Sequence, residues 1–481
     1  MKNDKYEVVI GLEVHAQLLT NSKLFCGDAA SFGAEPNTHI SPITLAHPGT
    51  LPKMNKKAIE YAIKLGLALH CDIEQKNYFA RKNYFYPDLP KGYQISQHTT
   101  PICKNGLVHI KVGDAERAIR LNRIHIEEDA GKSLHDVDEN YTAIDLNRAG
   151  VPLLEIVSEP DLHSSDEAFA YITTLRKLVR WLDICDGNME EGSMRCDANI
   201  SIRLKGETKL GTRVEVKNLN SIRNVKRAID VEVNRLIDIT EAGEKVIQET
   251  RSYDADNNST FSLRSKEEAD DYRYFPDPDL TPFHITDDYL VSIKKALPEL
   301  PESLEQKYQQ VFHLPVYDAQ IICSDKSSVD YFESIIKHCS NYKAAANWMM
   351  GPVKSYLNEN NQEFSQFILP AVKIAELIQL VDEGKVNFGA AAGKVFHALL
   401  QSPEKNVLQL ATELNLLQES NSGSIEAWVD EVITKMPDKV KEYRSGKKGL
   451  MGLFAGEVKK LSKGKADMKL TNELLTEKLN N

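Results

Sequence analysis

Three segments in the first half of the chain carry residue types that bind divalent cations. In the first, Glu13 and His15 are two residues apart in an alternating pattern, which places both side chains on one face of a strand. The second segment contains the adjacent acids Glu127 and Glu128, and the third has Glu155 inside an apolar run. Carboxylates with an imidazole suit Mg²⁺ or Mn²⁺ better than zinc or copper. Such sites commonly bridge nucleotide phosphates.

Charged residues near these acids leave two interpretations open. Asp197 adds a carboxylate to the oxygen-rich set, whereas Arg195 and Lys217 could bind phosphate or carboxylate charge. The alternative is that acids and bases form salt bridges with a purely structural role. Glu155 has apolar neighbours, so its burial without a cationic partner would be costly. Spacing alone does not choose between the two interpretations.

The elements that must position these residues are strands backed by helices. Apolar residues alternate with a period of two over residues 8–18, 194–204 and 213–217. Helical periodicity covers residues 56–69, 165–182 and 221–239. Because strands and long helices do not alternate regularly, we predict an α+β fold with a mixed or antiparallel sheet.

Proline residues divide the chain. Two prolines within residues 297–302 end the strand-rich part, and a softer break lies at Ser402-Pro403. Beyond the first break, residues 326–357, 369–383 and 390–400 have helical patterns. We therefore predict three domains: residues 1–293 with the candidate site, a helical domain of residues 294–402, and a helical tail of residues 403–481.

The composition excludes several classes of protein. The 481 residues are 42% hydrophobic and 27% charged, which is typical of globular rather than disordered chains. Apolar runs are far shorter than the ~20 residues that cross a bilayer, so we expect no membrane contact. The first residues resemble no signal or transit peptide, which predicts a cytoplasmic location. The seven cysteines form no C-x-x-C pair, which argues against a disulfide framework or a thiolate zinc site.

Positive charge is concentrated at the end of the chain. The net charge is −11, yet residues 435–481 contain 12 Lys and Arg against 6 Asp and Glu. Two lysine clusters lie there, at Lys447 with Lys448 and at Lys459 with Lys460. A solvated helix face is the common explanation of such a run. On an otherwise acidic protein, clustered lysines favour contact with an RNA backbone.

Other motifs narrow the chemistry. Gly389–Lys394 has the wrong spacing for a phosphate-binding loop, and we predict a helix there. Cys26 lacks the context of a nucleophile, which argues against glutaminase activity in this chain. Residues 81–93 and 272–279 are aromatic and basic, as in loops that stack on a ligand. Proline-fixed loops that pack aromatic residues on the core explain them equally well.

An ordered set of motifs resembles one known family. The motifs are Ile10–His15, Arg81–Asp88, Glu127–Lys132, Asp145–Arg148, Ile156–Asp161, Met189–Asn199, Glu215–Ser221, Asp271–Pro276 and the tail around Gly446–Lys448. They span nearly the whole chain and closely resemble the GatB family, which provides the B subunit of the tRNA-dependent Asp/Glu amidotransferase.

The resemblance implies a fold and a reaction. The catalytic domain would be a cradle with a sheet related to glutamine synthetase, followed by a helical domain and a small tail that contacts tRNA. With Mg²⁺, ATP would phosphorylate the side-chain carboxylate of mischarged Glu-tRNA(Gln) or Asp-tRNA(Asn), and ammonia would displace the phosphate. A separate amidase (glutaminase) subunit would supply the ammonia, and a small third subunit would complete a heterotrimer.

The resemblance also implies roles for individual residues. The catalytic residues would be Glu13, His15, Glu128 and Glu155, the last three as Mg²⁺ ligands. Strand alternation instead favours Glu127 as the acid on the polar face. The nucleotide or substrate contacts would be Lys82, Arg195, Asp197 and Lys217. The tRNA contacts would be Lys447, Lys448, Lys459 and Lys460.

One departure from the family pattern concerns zinc. Many members of the family carry four cysteines in the segment that matches residues 25–52, of which this chain has only Cys26, so we expect no zinc.

The competing functions are a tRNA-binding scaffold without catalysis and a free-standing amide ligase that acts on a small amino acid. The sequence does not select between Glu-tRNA and Asp-tRNA.

Overall fold

The computed structural model describes residues 5–265, 272–418, 422–462 and 464–480. The chain forms two compact units, Met1–Leu300 and Pro301–Asn481. The boundary lies within the proline-containing segment that the sequence indicates. The described strands lie in the first unit, and the second unit is helical. The finer division at residues 293 and 402 stays a prediction.

Within the described residues, the first unit contains the strands and four helices. The strands are β1 (Tyr6–Gln17), β2 (Asp72–Ile73), β3 (Lys76–Asn77), β4 (Ala80–Asn83), β5 (Tyr93–Ser96), β6 (Cys103–Lys104), β7 (Leu107–Val112), β8 (Ala115–Glu128), β9 (Lys132–Leu134), β10 (Ala143–Asp145), β11 (Pro152–Ser158), β12 (Met194–Leu204), β13 (Val214–Lys217), β14 (Glu249–Asp254), β15 (Ser259–Ser265), β16 (Phe275–Pro276) and β17 (Phe283–His284). The helices are α1 (Lys56–Ala68), α2 (Ser165–Trp181), α3 (Ile222–Glu241) and α4 (Asp287–Lys295).

One large sheet organises the first unit. Its 10 strands follow the order β15-β14-β13-β12-β1-β11-β8-β6-β2, and β7 pairs with β8. Neighbouring strands are antiparallel, except that β13 and β14 are parallel. This mixed sheet confirms the predicted α+β class. The three predicted strands correspond to β1, β12 and β13, which are consecutive neighbours in the sheet.

Helices cover the apolar face of this sheet. Leu12 and Val14 of β1 are fully buried in one core with Ile172 and Val179 of α2. Helix α2 starts after Ser164, whose hydroxyl accepts a hydrogen bond from the backbone N–H of Glu167 (3.1 Å). Because alternate residues of a strand point to opposite faces, this packing turns the polar residues of β1 to the face opposite the helices.

The second unit is a set of short helices. They are α5 (Pro301–Gln310), α6 (Val316–Ile322), α7 (Lys326–Ile336), α8 (Tyr342–Trp348), α9 (Lys354–Glu359), α10 (Ala371–Asp382), α11 (Phe388–Ala390), α12 (Phe396–Gln401), α13 (Val407–Glu413), α14 (Ser422–Lys435), α15 (Pro437–Arg444), α16 (Met451–Leu461) and α17 (Met468–Asn480). None of the helices in the described ranges combines the length and apolar character that a membrane span requires.

Local capping interrupts one predicted helix of the second unit. Residues 326–357 contain α7, α8 and the start of α9 rather than one helix. The Asn341 side chain accepts a hydrogen bond from the Ala344 N–H (3.0 Å) and starts α8. A π-helical turn with Pro352 inside it follows α8. The segment Gly389–Lys394 is helical as predicted, with its own π-helical turn. Towards the end of the chain, α14 to α17 share a core around Phe454.

Candidate cation and nucleotide site

Strand register brings Glu13, His15 and Glu155 together on the sheet face opposite the helices. In β1, His15 lies opposite Glu155 of β11 on one side and opposite Arg195 of β12 on the other. In turn, Glu155 lies opposite His125 of β8. Three adjacent strands therefore align His15, Glu155 and His125 in one row, although 140 residues of chain separate His15 from Glu155.

Carboxylates surround both imidazoles of this row. His15 Nε2 lies 3.5 Å from Glu13 Oε1, 3.5 Å from Glu155 Oε2 and 3.7 Å from Glu127 Oε1. His125 Nε2 lies 3.5 Å from Glu127 Oε2 and 3.5 Å from Glu155 Oε2. We call these five residues, Glu13, His15, His125, Glu127 and Glu155, the acid cluster. Two groups of three within it have ligand atoms close enough together to hold a cation: Glu13, His15 and Glu155, and His125, Glu127 and Glu155.

Burial and charge act against each other in the acid cluster. Burial disfavours a charged imidazole, but a hydrogen bond to Glu155 and the charges of Glu127, Glu155 and Glu13 raise the pKa of His15 to about 9. Burial, followed by the charge of Glu155, raises the pKa of the Glu13 carboxyl. Carboxylates held this closely need positive charge between them, which a divalent cation provides.

Arg123 lies at the edge of the acid cluster. Its Nη2 is 3.3 Å from Glu155 Oε1, and its Nε donates to His125 Nδ1 (3.4 Å). Burial works to raise the pKa of Glu155, but His125, His15 and Arg123 together hold it well below its usual range. Glu155 therefore stays ionised as a potential ligand.

The structure does not bring Glu128 into the acid cluster. Glu128 follows Glu127 in the strand, so its side chain points to the other face of β8. It forms an ion pair with Lys91 and accepts a hydrogen bond from the Ile95 N–H (2.8 Å). The position expected for Glu128 beside His15 is taken by Glu127, as strand alternation favours.

The other predicted contacts lie on neighbouring strands of the same face. Lys217 Nζ of β13 pairs with Asp197 Oδ2 of β12 (2.5 Å), and the charge of Asp197 outweighs burial to raise the pKa of Lys217. Asp197 lies opposite Glu13 in the sheet, next to the acid cluster. Arg195 instead donates to Asp129 Oδ2 (2.9 Å).

Arg195 is expected to stabilise the fold. The Asp129 carboxylate is buried, and burial would raise its pKa, but Arg195 and Arg148 hold that pKa below its usual range. Arg195→Met leaves this buried charge without its closest cation, which costs about 3 kcal/mol of unfolding free energy. Urea denaturation measures the loss. Arg203→Met, on the same strand but paired with the more exposed Glu7, serves as control and changes stability by less than about 1 kcal/mol.

The remaining predicted residues lie elsewhere. Lys82 belongs to β4, and its Nζ is 4.8 Å from the ring centre of Tyr272. In the second unit, Lys447 and Lys448 follow α15, and Lys459 and Lys460 are in the last turn of α16. Two of these lysines form exposed ion pairs, to Glu442 (3.0 Å) and Glu457 (2.6 Å), which contribute little to stability.

Comparison with known proteins places the chain in a family. The GatB/GatE catalytic domain profile matches residues 8–291, and the GatB domain profile matches residues 330–479. The B subunit of the aspartyl/glutamyl-tRNA(Asn/Gln) amidotransferase of Geotalea uraniireducens is 50% identical over 482 residues, covering 99% of this chain and 100% of that protein. Proteins of the same name from Syntrophotalea carbinolica and Thermodesulfovibrio yellowstonii are 49% and 47% identical, with 99% and 98% of both chains covered.

The chain belongs to the GatB family of amidotransferase subunits. The catalytic-domain profile of this family includes every member of the acid cluster, and the GatB domain profile includes the four tail lysines. The family membership inferred from ordered sequence motifs is therefore confirmed.

His125 and Asp129 have roles in the site of this GatB family member that the sequence pattern alone does not assign. His125 faces the carboxylates of Glu127 and Glu155, and Asp129 is the partner of Arg195. A signal for His125 exists, because His125 and Glu127 on β8 repeat in reverse order the Glu13 and His15 pattern of β1. Both pairs place an imidazole and a carboxylate on one face of a strand.

Proposed function

We propose that the acid cluster is the kinase and amidation site of a tRNA-dependent amidotransferase. The side-chain carboxylate of mischarged Glu-tRNA(Gln) or Asp-tRNA(Asn) attacks the γ-phosphorus of ATP and ADP leaves. Ammonia then attacks the activated carbonyl carbon, inorganic phosphate leaves, and the products are Gln-tRNA(Gln) or Asn-tRNA(Asn). The observation that carries this proposal is the convergence of Glu13, His15, Glu127 and Glu155 on one sheet face.

The acid cluster fits Mg²⁺. Its donors are oxygen-rich, and Glu13, His15 and Glu155 place ligand atoms within 4.8 Å of one another. When bound, Mg²⁺ would neutralise charge on the phosphates of ATP and on the substrate carboxylate. We assign Glu127 rather than Glu128 to this set, since Glu128 pairs with Lys91.

Residues around the acid cluster bind and orient the substrates. Lys217 lies on the strand next to that of Asp197, and its positive charge can bind phosphate oxygens. Arg123 holds Glu155 ionised and in place. Lys82 remains a candidate contact to the substrate from β4. Neither Arg195 nor Glu128 is assigned a substrate contact, because Arg195 pairs with the buried Asp129 and Glu128 is itself buried and paired with Lys91.

Partner proteins complete the proposed reaction. Ammonia comes from glutamine that a separate amidase (glutaminase) subunit hydrolyses, and a small third subunit joins the two in a heterotrimer. The lysines of α16 and of the turn after α15 bind the tRNA backbone. We further propose that the sheet is related to that of glutamine synthetase and that the protein is cytoplasmic. We also propose that the protein holds no zinc. Metal analysis of chelator-washed protein tests the zinc proposal.

An isotope experiment tests the phosphorylation step. Mischarged Glu-tRNA(Gln) is prepared with heavy oxygen in the side-chain carboxylate and given to the complex with ATP and glutamine. We expect the label in inorganic phosphate, because the attacking carboxylate oxygen leaves with the phosphoryl group. Mass spectrometry of the phosphate detects it. Unlabelled phosphate, with amide formed at the normal rate, would overturn the acyl phosphate route and favour the scaffold interpretation.

Measurement of Mn²⁺ affinity tests whether Glu127 or Glu128 is the cation ligand. Glu127→Gln removes a charged group 3.7 Å from His15, so we expect Mn²⁺ affinity to fall about 10- to 100-fold. The adjacent Glu128→Gln is the matched control and leaves Mn²⁺ affinity unchanged. Titration monitored by electron paramagnetic resonance measures both. The opposite result would place Glu128, not Glu127, at the cation.

A further inference from the structure

We propose that an aromatic platform beside the acid cluster stacks unpaired bases at the 3′ end of the substrate tRNA. The platform consists of Tyr84, Phe85, Tyr86, Tyr272, Tyr274 and His98. This inference rests on the proposed function, because it names the part of the tRNA that the site receives. Single-stranded nucleic acid is commonly bound by aromatic side chains combined with basic residues.

Two segments distant in sequence are fastened together to build the platform. The Asn83 backbone N–H donates to the Tyr272 carbonyl (3.0 Å), and its side-chain amide donates to the Arg273 carbonyl (2.8 Å). Arg81 lies opposite Phe275 where β4 pairs with β16, and its Nε donates to Asp277 Oδ2 (2.8 Å). Strand pairing, hydrogen bonds and an ion pair therefore hold the two aromatic segments together, so they are not independent loops.

The rings of the platform form a continuous row. Centroids of successive rings from Tyr86 through Tyr84 and Tyr272 to Tyr274 are 5.8, 6.1 and 6.0 Å apart, with interplanar angles of 70°, 69° and 76°. At the end of the row, Tyr274 and His98 are parallel, 3.9 Å apart. Successive rings at steep angles form corners, in which a planar base can stack on one ring and meet the edge of the next.

One end of the row faces solvent. Phe85 is 81% exposed and Tyr86 59% exposed, although both are large aromatic residues. Gly92, at φ +70°, lies against the Phe85 ring, where an added Cβ would come within 2.9 Å of it. A glycine at this position thus leaves room for the Phe85 ring beside the backbone. Adjacent exposed aromatic rings are typical of a binding surface.

The other end of the row reaches the acid cluster. His98, which stacks on Tyr274, follows Gln97, whose Oε1 accepts a hydrogen bond from the Ile126 N–H (3.0 Å), between His125 and Glu127 on β8. Lys82 Nζ lies 4.8 Å from the Tyr272 centroid and 5.7 Å from that of Tyr84, which places positive charge along the row. A strand that enters from Tyr86 would thus carry its terminal aminoacyl group toward the cation site.

Kinetics of the complete complex test the platform. Tyr86→Ala should raise KM for mischarged Glu-tRNA(Gln) about tenfold, the loss of one stacked base, and leave KM for ATP unchanged. Tyr86→Phe keeps the ring and should match the wild type. Phe261→Ala removes a 51% exposed ring of β15 and controls for the loss of any exposed aromatic residue. A rise in KM for ATP alone would assign the platform to adenine and overturn the proposal, as would unchanged KM values.

A competition experiment tests tRNA binding at the same site without catalytic turnover. Uncharged tRNA, either full length or lacking its unpaired 3′ nucleotides, competes for binding to the complex. In the wild type we expect the truncated tRNA to compete about tenfold more weakly, and in Tyr86→Ala the two should compete almost equally. A preference that survives in Tyr86→Ala would overturn the proposal. Failure of the proposed phosphorylation step would not affect this comparison, which measures binding alone.

Discussion

Glu155→Gln should lower tRNA-dependent ADP formation about a thousandfold. Glu155 is buried between His15 and His125, at 3.5 Å from each, and is the carboxylate that both groups of possible cation ligands share. Glutamine has the same shape but no charge, so the substitution weakens the hold on a cation and replaces one of the two acceptor oxygens by an NH2 donor. A coupled assay of ADP release with mischarged tRNA measures the rate, and a filter-binding assay should show unchanged tRNA affinity.

A matched control separates this effect from a general loss of charge on the sheet. Glu116 lies on β8, the strand that pairs with β11, and its side chain is 78% exposed. Glu116→Gln should leave ADP formation unchanged. Normal ADP formation by Glu155→Gln would show that the acid cluster is structural and would favour the scaffold function. ADP formation with free glutamate in place of tRNA would favour the free-standing ligase.

Removal of the four tail lysines should weaken tRNA binding about a hundredfold at low salt and make its salt dependence shallower. The variant combines Lys447→Ala, Lys448→Ala, Lys459→Ala and Lys460→Ala. Each phosphate contact contributes about −0.7 to −0.9 to the slope of log affinity against log salt, so four lost contacts change that slope by about three. The four lysines lie on the helical second unit and their present partners are weak surface contacts.

A second variant with the same change in net charge serves as control. It combines Lys205→Ala, Lys209→Ala, Lys245→Ala and Lys294→Ala, all exposed in the first unit. We expect its tRNA affinity and salt slope to stay near those of the wild type. Equal losses in both variants would show that net charge, rather than the tail surface, attracts the tRNA. ADP formation at saturating tRNA should be normal in the tail variant, because the acid cluster is intact.

Strand β1 illustrates what alternation predicts well. Apolar Leu12 and Val14 are buried against α2, and Glu13 and His15 emerge on the opposite face, as the period of two requires. The same periodicity located β12 and β13. Local capping was harder to foresee: the one predicted helix over residues 326–357 is broken where Asn341 caps a new helix. A polar side chain that competes with backbone hydrogen bonding can end a helix inside a helical pattern.

Adjacent residues such as Glu127 and Glu128 are where the assignment of residue roles from a family resemblance is weakest. The two acids are adjacent, so a shift of one position reverses the face on which a side chain lies. Alternation along β8 favoured Glu127, and the structure places Glu127 beside His15 and Glu128 beside Lys91. Arg195 likewise has the charge expected of a phosphate contact but is engaged by the buried Asp129.

Residue order, periodicity and local charge were sufficient to predict the family, the α+β class, the strand that carries Glu13 and His15, and the basic tail. These are properties of neighbouring residues. The folded structure was needed to show that His125 completes the row with His15 and Glu155, that Glu127 lies beside His15, and that the two aromatic segments join in one platform. Register between strands far apart in the chain depends on how the whole sheet pairs and packs, which no local pattern specifies.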